Sequence, residues 1–576
     1  MKFKRLVDYF ARLERTTGRN EMIAILAELF REAEVEEIDE MIYLCQGRLA
    51  PAYEKVEFGV GESLTADAIA KATGLDVKEV KRLYKAKGDF GLVAEGLLKG
   101  EGGILSVSDV HRGLYAVATA SGEGAMAQKT DGLAELLRQM SGKEARYLLR
   151  IPIGRLRLGV GDATMMDGLS WALSGGKELR KPIERAYNIC SDLGLVGKIL
   201  WREGIEGLEK LSVQPGRPVR MALAQRAKNT EEVVKRLGRC AIEPKYDGFR
   251  CQVHKDGERV RIFSRNLEDN TAMFPDIVAG TLAQVLHEKA IFEGEAVAYN
   301  PDTDEFLPFQ ETVQRKRKYG VAEMAEKLPL KLLTFDLLYL DGRDYTREPY
   351  IVRREALQEA IMPGDVLEPA EALITDDPNK IEVFFLDKVQ RGLEGIMAKR
   401  LDAVYQAGSR NFNWIKLKRS YGGELTDTVD CVVVGYWRGR GMRAKFGIGS
   451  LLCAVYDDAK DVFVTIAKLG TGFTEEEWVK MRKLLDEIAI AEPPTRLVSL
   501  LEPDVWVEPQ YVIEIQADEI TRSPVHTCGR VGEEPGYALR FPRVIGFIRE
   551  DKKPEDATTV KEVLEMYEAQ QRAQVG

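Results

Sequence analysis

A short segment near the middle of the chain places a lysine among groups that could make it a nucleophile. The segment reads Glu243-Pro-Lys245-Tyr-Asp247-Gly-Phe-Arg250, at the predicted end of one strand and the start of a hairpin. A lone lysine is usually a solvated surface residue, but this one lies between carboxylates, with an arginine in the next strand. An amine attacks only in its neutral form, which nearby cations or desolvation favour. We therefore expect Lys245 to have a lowered pKa and to lie close to a phosphate.

Lysines recur in two later segments that could supply the cations. Lys399 closes the segment Glu394-Gly-Ile-Met-Ala-Lys, and Lys416 and Lys418 alternate in Trp-Ile-Lys-Leu-Lys. A spacing of two residues puts Lys416 and Lys418 on one face of a strand. The same spacing is also typical of an edge strand protected by lysines, so it does not establish a site alone.

Three further residues fall at or near predicted strand ends. They are Arg265, Glu295 and Phe335, the last followed by Asp336. An aromatic ring can stack on a base, a carboxylate can accept from ribose hydroxyls or hold a metal ion, and cations can hold phosphates. Together with Lys245, these residues predict a nucleotide site.

The first region of the chain, residues 1–212, has a helical pattern. Residues 22–30 form a run of helix formers, and Asp76 with Glu79 predicts a helix start just before apolar residues at helical spacing. Residues 212–218, Ser-Val-Gln-Pro-Gly-Arg-Pro, cannot continue a helix and predict a linker. Arg220 follows this linker.

The second and third regions contain short strands. The Asp256-Gly257 turn predicts a hairpin between strands 250–255 and 259–263. Further strands are predicted at 291–299, 330–339, 431–436, 451–456, 462–467 and 511–517, with helices at 276–286 and 381–391 and after Thr474. Several strands with one helix in the third region suit a small barrel such as an OB-fold.

The sequence therefore predicts a multidomain chain with three parts. They are an all-α domain at 1–212, an α+β domain at 213–420 and a β-barrel OB-fold domain at 421–576. A length of 576 residues agrees with more than one domain.

The composition argues against several classes of protein but does not identify the function. The net charge of −9 argues against a protein that coats nucleic acid non-specifically, although basic residues can still concentrate on one face. The sequence contains no apolar run of about 18 residues, so neither a membrane span nor export is predicted. The seven cysteines form no Cys-x-x-Cys pair, which indicates a reducing compartment, without a zinc site or a disulfide framework.

The motifs, taken in order, resemble those of a known superfamily. The series is Lys-x-Asp-Gly-x-Arg, Ser-Arg, Glu-Gly-Glu, Phe-Asp, Glu-Gly-Ile-Met-Ala-Lys, Trp-Ile-Lys-Leu-Lys and Leu-Arg-Phe-Pro-Arg, ending at Arg543. It resembles the covalent nucleotidyltransferases, and within them the archaeal and eukaryotic type of ATP-dependent DNA ligase. Residues 121–129 and 146–161 resemble that family's helical DNA-binding domain, and residues 438–443 resemble the start of its OB domain.

The resemblance implies a role for each site residue. Lys245 would be the nucleophile that accepts AMP, Glu243 and Phe335 would contact adenine, and Glu295 would bind the ribose. Phosphates or sugar would be held by Arg250, Arg265, Arg410 and Lys416, with Lys399 and Lys418 nearby. Mg²⁺ would be held by Glu394, with Asp247 or Glu295. In the third region, Arg540, Arg543 and Lys552 would orient the leaving pyrophosphate.

The resemblance also implies the substrates: ATP, Mg²⁺ and nicked duplex DNA, in replication, repair and recombination. Backbone phosphates would be contacted by Arg155 and Arg157, by residues 315–318 and by residues 438–445. No segment resembles a sliding-clamp docking motif, so a clamp partner has no sequence support. We expect a monomer in the cytoplasm, associated with the nucleoid and not with a membrane.

Two alternatives stay open at this point. An RNA ligase or a capping guanylyltransferase shares the lysine and its neighbours, but those relatives generally lack a helical N-terminal region. Labelling by GTP would favour capping. A non-catalytic DNA-end-binding protein is disfavoured because every catalytic position is intact.

Overall fold

The chain folds into two compact units. The computed structural model describes residues 1–300, 305–307, 309–317, 319–362, 364–390, 393–418, 428–439, 447–470, 472–517, 519–540 and 542–575. The units are Met1–Arg419 and Ser420–Gly576. The predicted boundary at 420/421 lies one residue from this division. The predicted boundary at 212/213 falls inside the first unit and stays a prediction.

The first part of unit one is helical, as the sequence predicts. Its helices are α1 (Phe3–Arg15), α2 (Arg19–Arg31), α3 (Ile38–Cys45), α4 (Glu62–Thr73), α5 (Val77–Lys87), α6 (Phe90–Leu97), α7 (Val107–Thr119), α8 (Ala125–Arg138), α9 (Gly142–Arg150), α10 (Asp162–Ser174), α11 (Arg180–Cys190) and α12 (Leu193–Lys210). Asp76 caps α5 by accepting from the Lys78 N–H, as predicted, whereas Glu79 pairs with Arg82 at 2.7 Å. Apolar faces of these helices share one buried core.

The second part of unit one combines strands and helices. Its elements are β1 (Leu223–Arg226), α13 (Thr230–Leu237), β2 (Cys240–Lys245), β3 (Phe249–Asp256), β4 (Arg259–Ser264), α14 (Pro275–Gln284), β5 (Lys289–Asn300), β6 (Glu305–Phe306), α15 (Phe309–Thr312), α16 (Val321–Lys327), β7 (Leu330–Leu340), β8 (Arg343–Asp344), α17 (Tyr350–Ala360), β9 (Leu367–Pro369), β10 (Leu373–Thr375), α18 (Pro378–Gln390), β11 (Gly395–Arg400) and β12 (Arg410–Lys418).

These strands form two sheets that meet at Lys245. One sheet has the order β1-β12-β11-β2-β10, and the other has the order β4-β3-β5-β7-β8. Lys245 ends β2 in the first sheet, and Phe249 begins β3 in the second. At Gly248, between them, a Cβ atom would lie 2.3 Å from the Ala296 carbonyl oxygen. Glycine is therefore required for the chain to cross so close to β5.

The predicted hairpin after this crossing is confirmed. Asp256 and Arg259 close the ladder between β3 and β4, and Gly257 has a φ of 60°. That left-handed conformation is one that glycine adopts without strain.

The second unit is built on strands with two helices. Its elements are β13 (Val429–Arg438), β14 (Ile448–Asp457), β15 (Val462–Leu469), α19 (Glu475–Glu487), β16 (Ala489–Ile490), β17 (Leu497–Val498), β18 (Val505–Val507), β19 (Val512–Gln516), β20 (Glu519–Ser523), β21 (Gly536–Arg540), β22 (Arg543–Gly546) and α20 (Val560–Val575). The main sheet has the order β16-β18-β13-β14-β15-β17, and β13 also pairs with β19. The predicted cap of α19 by Thr474 and Glu477 is confirmed, whereas α20 was not predicted. Among the described helices of both units, none is long and apolar enough to cross a membrane.

Candidate active site

Lys245 lies in a chain of alternating charges across the first sheet. Its amine forms an ion pair with one oxygen of Glu394, and Lys418 pairs with the other oxygen. Strand register brings the three together, because Gly395 lies opposite Lys245 on one side and Lys418 on the other. Gly395 has a φ of 149°, and its Cβ would lie 2.1 Å from the Leu417 carbonyl oxygen. The glycine after Glu394 is therefore needed for this close packing.

The expected lowering of the Lys245 pKa is wrong. Burial lowers the pKa, but Glu394, Glu295 and Asp247 outweigh that effect, so the pKa is raised. From the sequence, cations were expected around the amine. In the folded protein, Glu394 instead stands between Lys245 and Lys418. A neutral amine at Lys245 therefore requires these carboxylates to be engaged by another cation.

Glu295 and Arg250 face each other on neighbouring strands of the second sheet. The Gly248 N–H donates to Glu295 at 3.2 Å. Burial raises the pKa of Glu295 to about 7, against the opposing effect of Lys245 and Arg250. Arg250 donates to Glu293 at 2.8 Å, and its guanidinium lies 5.4 Å from the centre of the Phe335 ring.

The raised pKa of Glu295 predicts a dependence of stability on pH. Its folded value of about 7 lies above the ordinary 4.5, so the folded protein keeps a proton that the unfolded chain releases. The free energy of unfolding should therefore fall as pH rises from about 4.5 to about 7, by at most about 3 kcal/mol. Glu295→Gln should remove this contribution.

The measurement is urea unfolding of both proteins between pH 5 and 8. The difference in the free energy of unfolding between the two proteins reports on Glu295 alone. His254 and His526, whose pKa values are lowered to about 3 and about 4, also make stability depend on pH, but they do so equally in both proteins. The variant should gain stability relative to the parent as pH rises. A difference that stays constant with pH would contradict a raised pKa.

Lys399 lies in a buried cage of aromatic rings. Its amine lies 4.3 Å from the centre of the Trp414 ring, 4.6 Å from Phe335 and 5.0 Å from Tyr350. It lies 2.8 Å from a Glu243 oxygen and donates to the Phe335 carbonyl at 2.9 Å. Burial lowers the pKa of Lys399, and Glu243 opposes that shift. Lys399 thus contacts both Glu243 and Phe335, the two residues expected to contact adenine.

The remaining predicted residues lie on the strands around this centre. Arg410 begins β12, and Lys416, further along the same strand, is opposite Met397 on β11. Arg265 directly follows β4, and its Nε is buried without a hydrogen-bond partner among the described residues. Their contacts with phosphate or sugar stay predictions.

Sequence reasoning missed several polar residues behind the site. Arg353 donates to Asp336 at 2.6 and 3.1 Å, and both side chains are fully buried. Tyr405 donates to Glu293 at 2.8 Å. Tyr350 donates to Glu243. The signal available in the sequence was the Arg353-Arg354 pair on a helix that also carries core residues.

The acidic side chains beside Lys245 are suited to a magnesium ion that the protein would hold only in part. In the described part of the chain, no three His, Cys, Asp or Glu residues are grouped as metal ligands. Mg²⁺ commonly takes only one or two protein carboxylates, and water and substrate phosphates complete its shell. Glu394, Glu295 and Asp247 all raise the pKa of Lys245. This concentration of negative charge fits such a partly protein-bound ion.

One expected DNA contact is wrong. Arg315 is 1% exposed, and its guanidinium donates to Asp276 at 2.8 and 2.9 Å and to the Leu328 carbonyl at 2.7 Å. A buried arginine whose two terminal nitrogens already donate within the protein is not available to a phosphate. Lys318 and residues 440–445 of the other basic segment lie outside the described residues.

The basic residues expected to orient pyrophosphate are engaged within the second unit. Arg540 lies 3.1 Å from Glu519, and Lys552 pairs with Asp430. Arg543 lies opposite Gln516 in the β19–β22 ladder. Their role with pyrophosphate stays a prediction.

Comparisons with known proteins identify DNA ligases as relatives of this chain. Family models match at residues 2–170 (DNA ligase N terminus), 221–418 (ATP dependent DNA ligase domain) and 444–552 (ATP dependent DNA ligase C terminal region). A probable DNA ligase of Dictyoglomus thermophilum is 57% identical over 100% of this chain and 99% of its own length. A DNA ligase of Pyrobaculum islandicum is 46% identical over 99% of both chains. A solved structure of mycobacterial DNA ligase D complexed with ATP and MES is 26% identical, with a TM-score of 0.34, over 59% of this chain and 97% of its own.

Proposed function

The chain belongs to the ATP-dependent DNA ligase family, and we propose that it seals nicks in duplex DNA through AMP carried on Lys245. The observation that carries the proposal is the position of Lys245. It ends β2 at the junction of two sheets, beside Glu394 and Glu295. The helical first part of the chain supports DNA over RNA as the substrate, because RNA-directed relatives generally lack it.

The reaction consists of three transfers at phosphorus. The Lys245 amine attacks the α-phosphate of ATP, so a nitrogen–phosphorus bond forms and pyrophosphate leaves. The 5′-phosphate at the nick then displaces Lys245 and takes the AMP. The 3′-hydroxyl finally attacks that activated phosphate, closes the backbone and expels AMP. Each step moves negative charge that cationic residues stabilise.

The residues around Lys245 divide the tasks of nucleotide binding. Glu243 and Phe335 contact adenine, and Glu295 binds the ribose. Phosphates and sugar are held by Arg250, Arg265, Arg410 and Lys416, with Lys399 and Lys418 nearby. Glu394, with Asp247 or Glu295, would hold Mg²⁺, which would supply positive charge to the phosphates. Carboxylates engaged in this way would hold the Lys245 proton less strongly.

The second unit also has a role in the proposed reaction. Its sheet and α19 suit an OB-fold barrel, on which Arg540, Arg543 and Lys552 orient the leaving pyrophosphate. The protein acts as a monomer on DNA, near the nucleoid, and no clamp-docking segment is assigned.

The test is to incubate the protein with α-labelled ATP and Mg²⁺, and then to chase with nicked duplex DNA. The protein should acquire labelled AMP and lose it as the nick closes. Intact duplex DNA is the control and should discharge nothing. An adduct that ignores nicked DNA but is consumed on nicked RNA would make the protein an RNA ligase. Labelling by GTP and not by ATP would indicate capping.

A further inference from the structure

One face of α17 carries three polar side chains behind the nucleotide site. Tyr350, Arg353 and Arg354 stand at positions i, i+3 and i+4, which share a face of a helix. Their exposed fractions are 1%, 0% and 8%. Buried arginine and tyrosine side chains need hydrogen-bond partners, so their partners indicate what this face does.

Two of the three hold the carboxylate of Glu243. The Tyr350 hydroxyl donates to Glu243 Oε1, and an Arg354 nitrogen lies 3.4 Å from the same oxygen. The other oxygen, Oε2, lies 2.8 Å from the Lys399 amine. The Arg354 guanidinium is itself fixed, because it donates to the Ala370 carbonyl at 2.9 Å. The orientation of the carboxylate is thus set from both of its oxygens.

The third residue holds the strand at Phe335. Arg353 donates twice to Asp336, the next residue on β7, and also donates to the Glu348 and Ala403 carbonyls at 2.8 and 2.9 Å. Lys399 donates to the Phe335 carbonyl. The same helix face therefore fixes the backbone beneath the ring of Phe335.

We propose that this face of α17 positions the base pocket, and that Tyr350 determines how strictly the pocket selects adenine. The proposal rests on the proposed function, in which Glu243 accepts from the 6-amino group of the base and Phe335 stacks on it. With the Tyr350 hydroxyl in place, the carboxylate is held in one orientation and presents one acceptor direction. Without the hydroxyl, Oε1 keeps only the longer contact with Arg354, so the carboxylate can turn about its contact with Lys399. A base that lacks the amino group is then penalised less.

The experiment compares covalent labelling by ATP with labelling by purine riboside triphosphate, which lacks the 6-amino group. The proteins are the parent, Tyr350→Phe and a matched control, Tyr339→Phe, on β7. Tyr350→Phe keeps the ring beside Lys399 but removes the donor. We expect its KM for ATP to rise about tenfold, its rate at saturating ATP to change little, and its preference for ATP to fall about tenfold. Arg354→Met should act in the same direction and more weakly, because its contact is longer.

The outcomes separate this inference from the function on which it rests. A Tyr350→Phe protein with unchanged KM and unchanged preference would overturn the inference, as would an equal loss of rate with both nucleotides. If the parent itself labels equally well with both, the contact between Glu243 and the base fails, and the inference fails with it. If the parent forms no adduct with ATP, the proposed function fails first.

Discussion

Lys245→Arg should abolish covalent labelling with AMP and, with it, the sealing of an ordinary nick. The arginine keeps the positive charge beside Glu394, but a guanidinium does not lose its proton in proteins and so cannot attack. We expect labelling to fall more than about 10⁴-fold, as for the loss of other catalytic nucleophiles. The measurement is incorporation of labelled AMP, beside Lys289→Arg, which replaces a lysine on β5 that pairs with Asp256 at 3.2 Å.

A nick that already carries AMP on its 5′-phosphate supplies the second readout. Lys245→Arg should still seal this substrate, because the last transfer needs no lysine adduct. Lys289→Arg should match the parent on both substrates. Labelling that survives in Lys245→Arg would place the nucleophile elsewhere. Loss of sealing on both substrates would mean that the arginine disturbs the whole site.

Arg353→Met should destabilise the first unit by about 3–5 kcal/mol, the range seen when one partner of a buried ion pair is removed. Both Arg353 and Asp336 are fully buried, so Asp336 would be left charged without a partner. The measurement is the midpoint of urea unfolding. The control is Arg82→Met, which breaks a pair whose side chains are 70% and 41% exposed, and should cost less than about 1 kcal/mol.

A double variant tests the cause of that loss. Arg353→Met combined with Asp336→Leu should recover much of the stability, because the large cost comes from the unpaired charge and not from the missing attraction. A loss below about 1 kcal/mol in the single variant would contradict this account. A double variant as unstable as the single would assign the loss to packing.

Local patterns were sufficient to predict two of the elements that carry the site. The Asp256-Gly257 turn marks its hairpin, and period-two spacing puts Lys416 and Lys418 on one strand, as found. These features depend on neighbours in sequence. The side-by-side arrangement of β2, β11 and β12 could not be predicted this way, because it joins segments far apart in the chain.

The wrong expectations share a physical cause. The sign of the Lys245 pKa shift depends on which group lies next to the amine, and strand register puts Glu394 between Lys245 and Lys418. Arg315 looked like part of a surface charge run, but it pairs with Asp276 on α14 and lies in the interior. Pairings of this kind are set by tertiary packing, which a charge pattern does not contain.

In the resting protein, Glu394 lies between Lys245 and Lys418 and favours the protonated form of the Lys245 amine. Protonated amines are poor nucleophiles, so a lysine held by carboxylates reacts slowly with aldehydes, cyanate and other stray electrophiles that modify exposed amines. The side chain is only 24% exposed, which adds a steric barrier. In the proposed reaction every turnover depends on Lys245, and these ion pairs would keep its amine protonated and unreactive until its own substrate binds.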